Sequence, residues 1–577
     1  MKKVIFSGLV VLVLVFGSVI EGRAIEDKLF GKPLSYTGYI MQEAGISADD
    51  DTHLYSAYSS LWFEADYRPS DILGLHVIVN PIFDNAYNIN HDKSWWNSAG
   101  PDYYPAGPSK NSGNGDPYNY ESGYGFSESD NEYYHDYFLR ELYANVDLGK
   151  VVFRLGRQTV GWGETDGIRI MDFVNPLDLS RDFVLRDPGF EMTRIPLWML
   201  KSSYYPDLKL GKLNLAGFEF LVIPDLEQTR VGMRTDGPIR GLVRNGVWGM
   251  PQPVLPGFIT EVPFNLEERD NWDDTEFALR MIGEIGDWAF TINGFYGWSD
   301  DFVGKADGVG LLANIPGAGL TEVGRLTPGQ VAASGLNDAT VHYLEEYGTA
   351  GTPFEGIDQL RAYFDGVYKR QKIVGITANK QLGFLSFQNT SPVFRFEGTY
   401  QFDKAFNTDG DHWGELEWLK TNGIVEKDQI KYMIGLDWPL RLQALNSRES
   451  FFTSVQFIQY IILDHDQELF HAPYYYSDVD PTTNVTRQNP YEIPEVQNFF
   501  TFMVSTSYDN GRLKPSVLFA EDFQSASYFI HAKLNLEYSM HWRQEIGVHI
   551  YEGANKFHGF GMYDGNDQVY LKCKYQF

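Results

Sequence analysis

Arg154, Arg157, Gln158, Glu164 and Asp172 put charges of both signs and an amide into one short stretch. It reads Arg154-Leu155-Gly156-Arg157-Gln158-Thr159-Val160-Gly161-Trp162-Gly163-Glu164, then Met171-Asp172-Phe173-Val174-Asn175-Pro176-Leu177-Asp178. Opposed charges across a narrow water-filled passage create a transverse field that selects solutes by charge and orientation, which makes these five residues candidates for a lumen constriction. The same residues can instead form a buried ionic network that pins residues 159–195 against a wall. No catalytic signature competes: there is no His-Glu-x-x-His and no Gly-x-Ser-x-Gly elbow. Gly161-Trp162-Gly163 lacks the lysine and helix that a phosphate-cradling loop requires. His531, His549 and Glu545 are donors that a transition metal accepts. Their plainer reading is as hydrogen-bonded polar residues, and Asp49-Asp50-Asp51 reads as a solvated acidic loop rather than a calcium site; no metal and no cofactor is expected.

The elements that position these residues are strands. Val151, Phe153 and Leu155 alternate with Arg154, so one face of that strand is apolar and the other, carrying Arg154 and Gln158, is wet. The same alternation recurs along the whole chain, in about eighteen strands. They fall near 36–43, 58–68, 72–80, 137–148, 151–158, 196–205, 213–222, 275–285, 288–298, 370–381, 392–402, 430–441, 450–461, 498–508, 513–523, 528–538, 541–551 and 567–577. Short connections such as Gly149-Lys150 and Gly286-Asp287 alternate with long ones such as 81–136 and 299–369, and Gln524 to Ser527 is the one short connection on the long side. That rhythm belongs to a transmembrane up-and-down antiparallel β-barrel with short periplasmic turns and long extracellular loops, here of 16 to 18 strands, about 18. One of the long loops, 100–135 or 299–369, is able to fold inward and narrow or plug the lumen; in the second, Val309 to Leu320 is Gly-rich and apolar, and Asp338 to Tyr347 has a helical pattern.

Two aromatic pairs support membrane thickness. Tyr528 and Tyr538 stand ten residues apart on one face, as do Trp288 and Trp298. At ~3.3 Å per residue and a tilt near 40°, that spans about 25 Å of height, the separation of the aromatic girdles of such a barrel. Phe577 ends the last strand, the expected partner of the first near Tyr36 to Glu43, and is a lower-girdle aromatic and a cue for barrel-assembly machinery. Cys573 on the same strand reads as lipid-facing.

Lys2 and Lys3, the apolar run Val4 to Ile20 and Gly22-Arg23-Ala24 read as a signal peptide, cleaved after residue 24, leaving 25–577 as one barrel domain. Aromatics make up 15% of the chain although its mean hydropathy is slightly polar, as expected when only alternate strand residues meet lipid. The formal charge of −30 argues against nucleic acid as a partner. One cysteine excludes an intrachain disulfide framework.

The Gly-Arg-Gln, Trp-Gly-Glu and Asn-Pro-Leu-Asp segments, with Arg140-Glu141-Leu142-Tyr143 before them, resemble an uncharacterised family of bacterial outer-membrane proteins, a domain of unknown function. The resemblance implies a monomeric outer-membrane barrel, and for some members an association with periplasmic lipoproteins and exporters that no residue here carries. The expected reading is an outer-membrane channel, porin-like or exporting a hydrophobic or small solute, in contact with outer-membrane lipid and lipopolysaccharide and without catalytic chemistry. The alternative is the barrel of a multiprotein assembly: a lipid-export partner of a periplasmic lipoprotein or exporter, or a sheath for a cytochrome conduit. An outer-membrane lipase would need a Ser/His constellation that the sequence does not assemble.

Overall fold

A computed structural model describes residues 25–48, 54–84, 139–179, 193–334, 349–408, 424–465 and 469–577, apart from short loop stretches within 207–318, 480–485, 554–558 and 565. The signal peptide, Asp49 to Asp51 and the helical pattern at 338–347 lie outside the described residues.

The alternating stretches form eighteen antiparallel strands closed into one barrel. In chain order they are β1 (Lys32–Ser47), β2 (Tyr58–Tyr67), β3 (Leu73–Val79), β4 (Leu139–Asp147), β5 (Val151–Gln158) and β6 (Leu197–Tyr204). Next come β7 (Leu213–Ile223), β8 (Glu276–Ile285), β9 (Trp288–Trp298), β10 (Arg370–Gln381), β11 (Val393–Thr408) and β12 (Ile424–Leu440). The last six are β13 (Phe451–Ile462), β14 (Val496–Ser505), β15 (Leu513–Asp522), β16 (Ser527–Glu537), β17 (Trp542–Gly553) and β18 (Gln568–Gln576). Each pairs with its neighbours in sequence, and β18 closes on β1 from Tyr39↔Gln576 to Ser47↔Gln568, slightly higher than the sequence places it. No strand edge is left open, which is what a β-structure in lipid requires. A short strand, Ile25–Leu29, folds back on the lower end of β1 through the left-handed turn Phe30-Gly31.

The polarity is inverted relative to a water-soluble sheet. Leu155, Leu279, Ile292, Ile546 and Leu571 are exposed on the outside, while Glu43, Glu219, Thr377, Glu397, Gln456 and His549 are buried inside. A belt of exposed aliphatic side chains this extensive is stable against lipid and not against water. Leu571 lies between Ala44 and Ile546 near the middle of its strand. Leu571→Arg is therefore expected to cost about 2–4 kcal/mol, read as a lower urea midpoint of the folded, heat-modifiable band; an unchanged midpoint would contradict a lipid-facing position.

Long and short connections segregate to opposite ends, as expected. On the long-loop side, 303–315 and 319–326 form a hairpin, so the Gly-rich stretch Val309 to Leu320 is β-structure, and 359–367 pairs with it. A short helix, Pro328–Ser334, follows the hairpin. Asn407 at the top of β11 ties this sheet to the rim by accepting from Gly304 N (3.1 Å) and donating to Gly304 O (2.5 Å).

Candidate functional site

After β5 the chain turns into the barrel instead of crossing above it. Val160, Trp162, Met171, Phe173 and Val174 are buried against inward side chains of β6 to β10: Leu197, Met199, Leu221, Ile223, Ala278, Phe295 and Ile373. Ile168 and Ile170 pack farther round, on Met433, Ile458, Tyr460 and Phe499. Residues 159–179 are thus an inward loop lying against one side of the lumen. A second intrusion, Gly559–Tyr563, covers Phe529 and Tyr551 on the wall of β16 and β17.

Polar groups fasten the loop, because every backbone N–H it takes out of water needs a partner. Glu141 accepts from Thr159 N (3.1 Å) and Thr159 Oγ1 (2.5 Å) as the loop leaves the wall. Asn175 accepts from Val160 N (2.7 Å) and donates to Ile195 O (2.8 Å), joining the loop's two ends. Asp172 Oδ1 accepts from Trp162 N (2.8 Å) and Gly163 N (3.0 Å), and its Oδ2 pairs with Arg194 (2.9 Å). From the wall, the fully buried Glu397 accepts from Glu164 N, Thr165 N (3.1 Å) and Met171 N (2.6 Å). Arg395 beside it bonds Glu164 O (2.5 Å), Asp166 (2.7 Å) and Asp437 (2.9 Å).

The glycines of this segment have steric causes. Gly156 has φ +141°, and a Cβ there would stand 2.2 Å from Leu142 O. A Cβ on Gly163 would meet the Asp172 carboxylate at 2.7 Å.

The five candidate residues divide. Gln158 is fully buried and donates to Met199 O (3.1 Å), Asp172 sits inside the loop, and Glu164 faces the wall, where it accepts from Asn379 (3.1 Å). Arg154 points inward but lies apart, bonded to Asn145 (2.9 Å) and 4.3 Å above the Tyr143 ring. Arg157 is a correction: its register partners Leu142 and Trp198 are exposed on the outside, so it leaves the lumen group. Three residues from Arg154, it falls on the opposite strand face. There it faces Asp225, whose carboxyl burial pushes up while the Trp198 N–H and Arg157 hold it down.

Arg395 and Glu397 are legible in the sequence as wet-face charges but not as partners of this loop, Asn175 only as part of the Asn-Pro-Leu-Asp segment, and Arg194 and Glu219 not at all. Their partners lie far away in sequence, so no local spacing marks them. Of the aromatics, Trp288, Tyr528 and Tyr538 are exposed outside; Trp298 donates to Asp274 O (3.0 Å), and Phe577 lies over Gly38. His531 and His549 face each other across β16 and β17, with ring centroids 4.4 Å apart. Tyr570 donates to Glu545 (2.8 Å) and so receives from His531 Nε2 (2.9 Å), which fixes that tautomer; Gln568 meets His549 (3.1 Å). Among the described residues, Glu64, Asp66 and His76 bring three metal-type donor atoms within 4.8 Å of one another, with His76 bonded to Asp66 (2.9 Å).

Arg169 anchors the far end of the loop to Asp300 (2.9 Å), outside the strands. Burial raises the Asp300 carboxyl to about 6, against the opposing pull of Arg169. A carboxyl held above its ordinary value binds its proton more tightly when folded. Its contribution to stability is therefore full below its unfolded value and lost as pH rises to about 6. The ion pair itself exists only above that pH. Channel noise from loop motion is expected to grow as pH rises through about 6, where the buried carboxyl must ionise, and Asp300→Asn, which cannot ionise, should show no such rise; a flat wild-type profile would refute the coupling of Asp300 to the loop.

The matched sequence region contains the loop and its anchors Glu141 and Arg194, but not Asp300, Arg395 or Glu397. Residues 44–232 match the protein family of unknown function DUF1302. The span includes the Gly-Arg-Gln, Trp-Gly-Glu and Asn-Pro-Leu-Asp segments, so the family resemblance read from the sequence is borne out by the match. No curated protein matches the chain. Among solved structures, Acinetobacter baumannii OccAB3 is similar at 9% identity and a TM-score of 0.41, covering 95% of this chain and 100% of that one. Pseudomonas aeruginosa OccK11 (OpdR) is similar at 7% identity and 0.41, covering 94% and 95%. Salmonella typhi OmpF, in complex with daunomycin, is similar at 8% and 0.35, covering 96% and 100%.

Proposed function

We propose that this chain is an outer-membrane channel that passes a small solute and carries out no chemistry of its own, with residues 159–179 as its constriction. The supporting observation is a closed barrel, apolar outside and polar inside, into which one loop folds and is bonded to the wall through Glu397 and Arg395. A loop folded inward in this way narrows the passage, and mixed charges along it set selectivity. In this reading the short turns face the periplasm, the long loops face outward, and the exterior contacts outer-membrane lipid and lipopolysaccharide. Purified protein in planar bilayers should give discrete conductance steps. A barrel verified as folded by heat-modifiable mobility that never conducts would overturn the reading.

A further inference from the structure

Most charges on the inner wall are matched. Lys201 meets Glu219 (2.5 Å), Lys572 meets Glu43 (3.3 Å), and Arg395 meets Asp437 (2.9 Å). Two lysines on neighbouring strands are different. Lys431 of β12 is opposite Thr399 and Tyr460, both inward, and its ammonium lies 4.8 Å from the centre of the Tyr460 ring. Lys404 of β11 reaches Gln429, two residues from Lys431 on the same face, at 3.1 Å. Among the described residues, neither ammonium has a carboxylate within 4.0 Å; Asp301 is the acidic group within electrostatic reach of both. The third cation nearby, Arg169, is taken up by Asp300.

The pair has a definite place in the passage. Glu397 pairs with Met433, and Thr399, one inward position higher, pairs with Lys431. Two residues of rise put Lys431 about 7 Å farther along the strands toward the long loops than the carboxylate that fastens the constriction. Lys404 is higher still. A solute entering from the long loops meets both ammonium groups before the narrowest part. In a chain of net charge −30, this sets two lysine amines together beside an aromatic face and the Gln429 amide.

We infer that Lys404 and Lys431 form a subsite for an anionic solute, a carboxylate or a small inorganic anion, at the outer mouth of the constriction. The anion would sit between the two ammonium groups, and an apolar body attached to it would lie on Tyr460. Lysine suits a site that must bind and release, because its charge sits on a flexible stem and is not held in a fixed fork. The solute class rests on the channel reading; the binding site does not.

The test has two arms on the full-length protein in detergent or bilayers. In the first, benzoate binding is measured by calorimetry on wild type, Lys431→Gln, the Lys404→Gln/Lys431→Gln pair and the corresponding double arginine variant. Saturable binding lost in the glutamine variants and kept with arginine is expected. In the second, reversal potentials in a KCl gradient should show the chloride-to-potassium permeability ratio falling by at least about fivefold in the double glutamine variant, since about fivefold is the weight of a single charge acting at about 4 Å through water and this variant removes two. Binding without any conductance would overturn the channel reading and keep the subsite. Conductance with no benzoate binding and an unchanged permeability ratio would overturn the subsite and keep the channel. Heat-modifiable mobility checks each variant's fold, and the single Lys431→Gln change decides the matter where the double variant does not assemble.

Discussion

Glu397→Ala is expected to release residues 164–171 from the barrel wall into the passage and so to lower the single-channel conductance and make it noisy. The carboxylate is fully buried and accepts three backbone N–H groups, from Glu164, Thr165 and Met171. Removing it leaves three donors without partners in a place that water reaches poorly. Each costs about 1–3 kcal/mol. The loop can recover that loss only by moving into the lumen, where water solvates the freed N–H groups. Glu397→Gln keeps one acceptor oxygen and should give an intermediate conductance, which separates loss of hydrogen bonding from loss of charge. Conductance equal to wild type in both variants, with the barrel folded, would show that this latch does not hold the constriction.

Why the sequence carried the barrel but not this latch follows from the range of each signal. Alternation is local: Val151, Phe153 and Leu155 against Arg154 declare a strand and its two faces within five residues, and all eighteen barrel strands were legible that way. The short turns were legible too, since Gly149 and Gly286 occupy positive φ. Closure of β18 on β1 was inferred from the need to leave no edge, and its register came out slightly displaced because hydrophobic pattern sets the face and not the offset between the first and last strands. The Glu164–Glu397 bond joins residues 233 apart, and nothing in either local stretch points to the other. Alternation did place Arg395 and Glu397 inside the barrel; it had no means of saying that a loop would come to meet them. Arg157 shows the opposite failure. Grouping it with Arg154 and Gln158 by proximity ignored the period of two, which sends it outside beside Trp198. The inward turn of 159–179 was half legible: its charges allowed a buried ionic network pinning 159–195 against a wall, but Val160, Trp162, Phe173 and Val174 have the composition of a core without a strand or helix period, so nothing named the wall residues they meet.

Trp162→Ala is the second change expected to have a large effect, and it tests packing instead of hydrogen bonding. The indole is almost fully buried in the apolar cluster between loop and wall, edge-on to Phe173 with centroids 6.2 Å apart. Its Nε1 donates to Glu219 Oε2 (3.1 Å), and the Arg280 guanidinium lies 5.9 Å from its ring. Truncation removes the largest side chain of the cluster, and buried Trp→Ala changes cost about 3–5 kcal/mol. That loss falls on the loop, not on the barrel, because the strand ladder through β5 to β10 does not pass through Trp162. The expected result is a variant that keeps its heat-modifiable mobility while trypsin cuts it at Arg169, a site protected in wild type. Trp162→Phe keeps most of the apolar contact but leaves Glu219 short of a donor, a loss of about 1–3 kcal/mol. Lys201 at 2.5 Å still neutralises that carboxylate, so the phenylalanine variant should remain protected, with only modestly faster cleavage. Protection of Arg169 in the alanine variant equal to wild type would mean that hydrogen bonds from Glu397, Asp172 and Asn175 hold the loop without its apolar anchor. Unfolding of the whole barrel in that variant would mean that the inward loop is part of the core on which the wall depends.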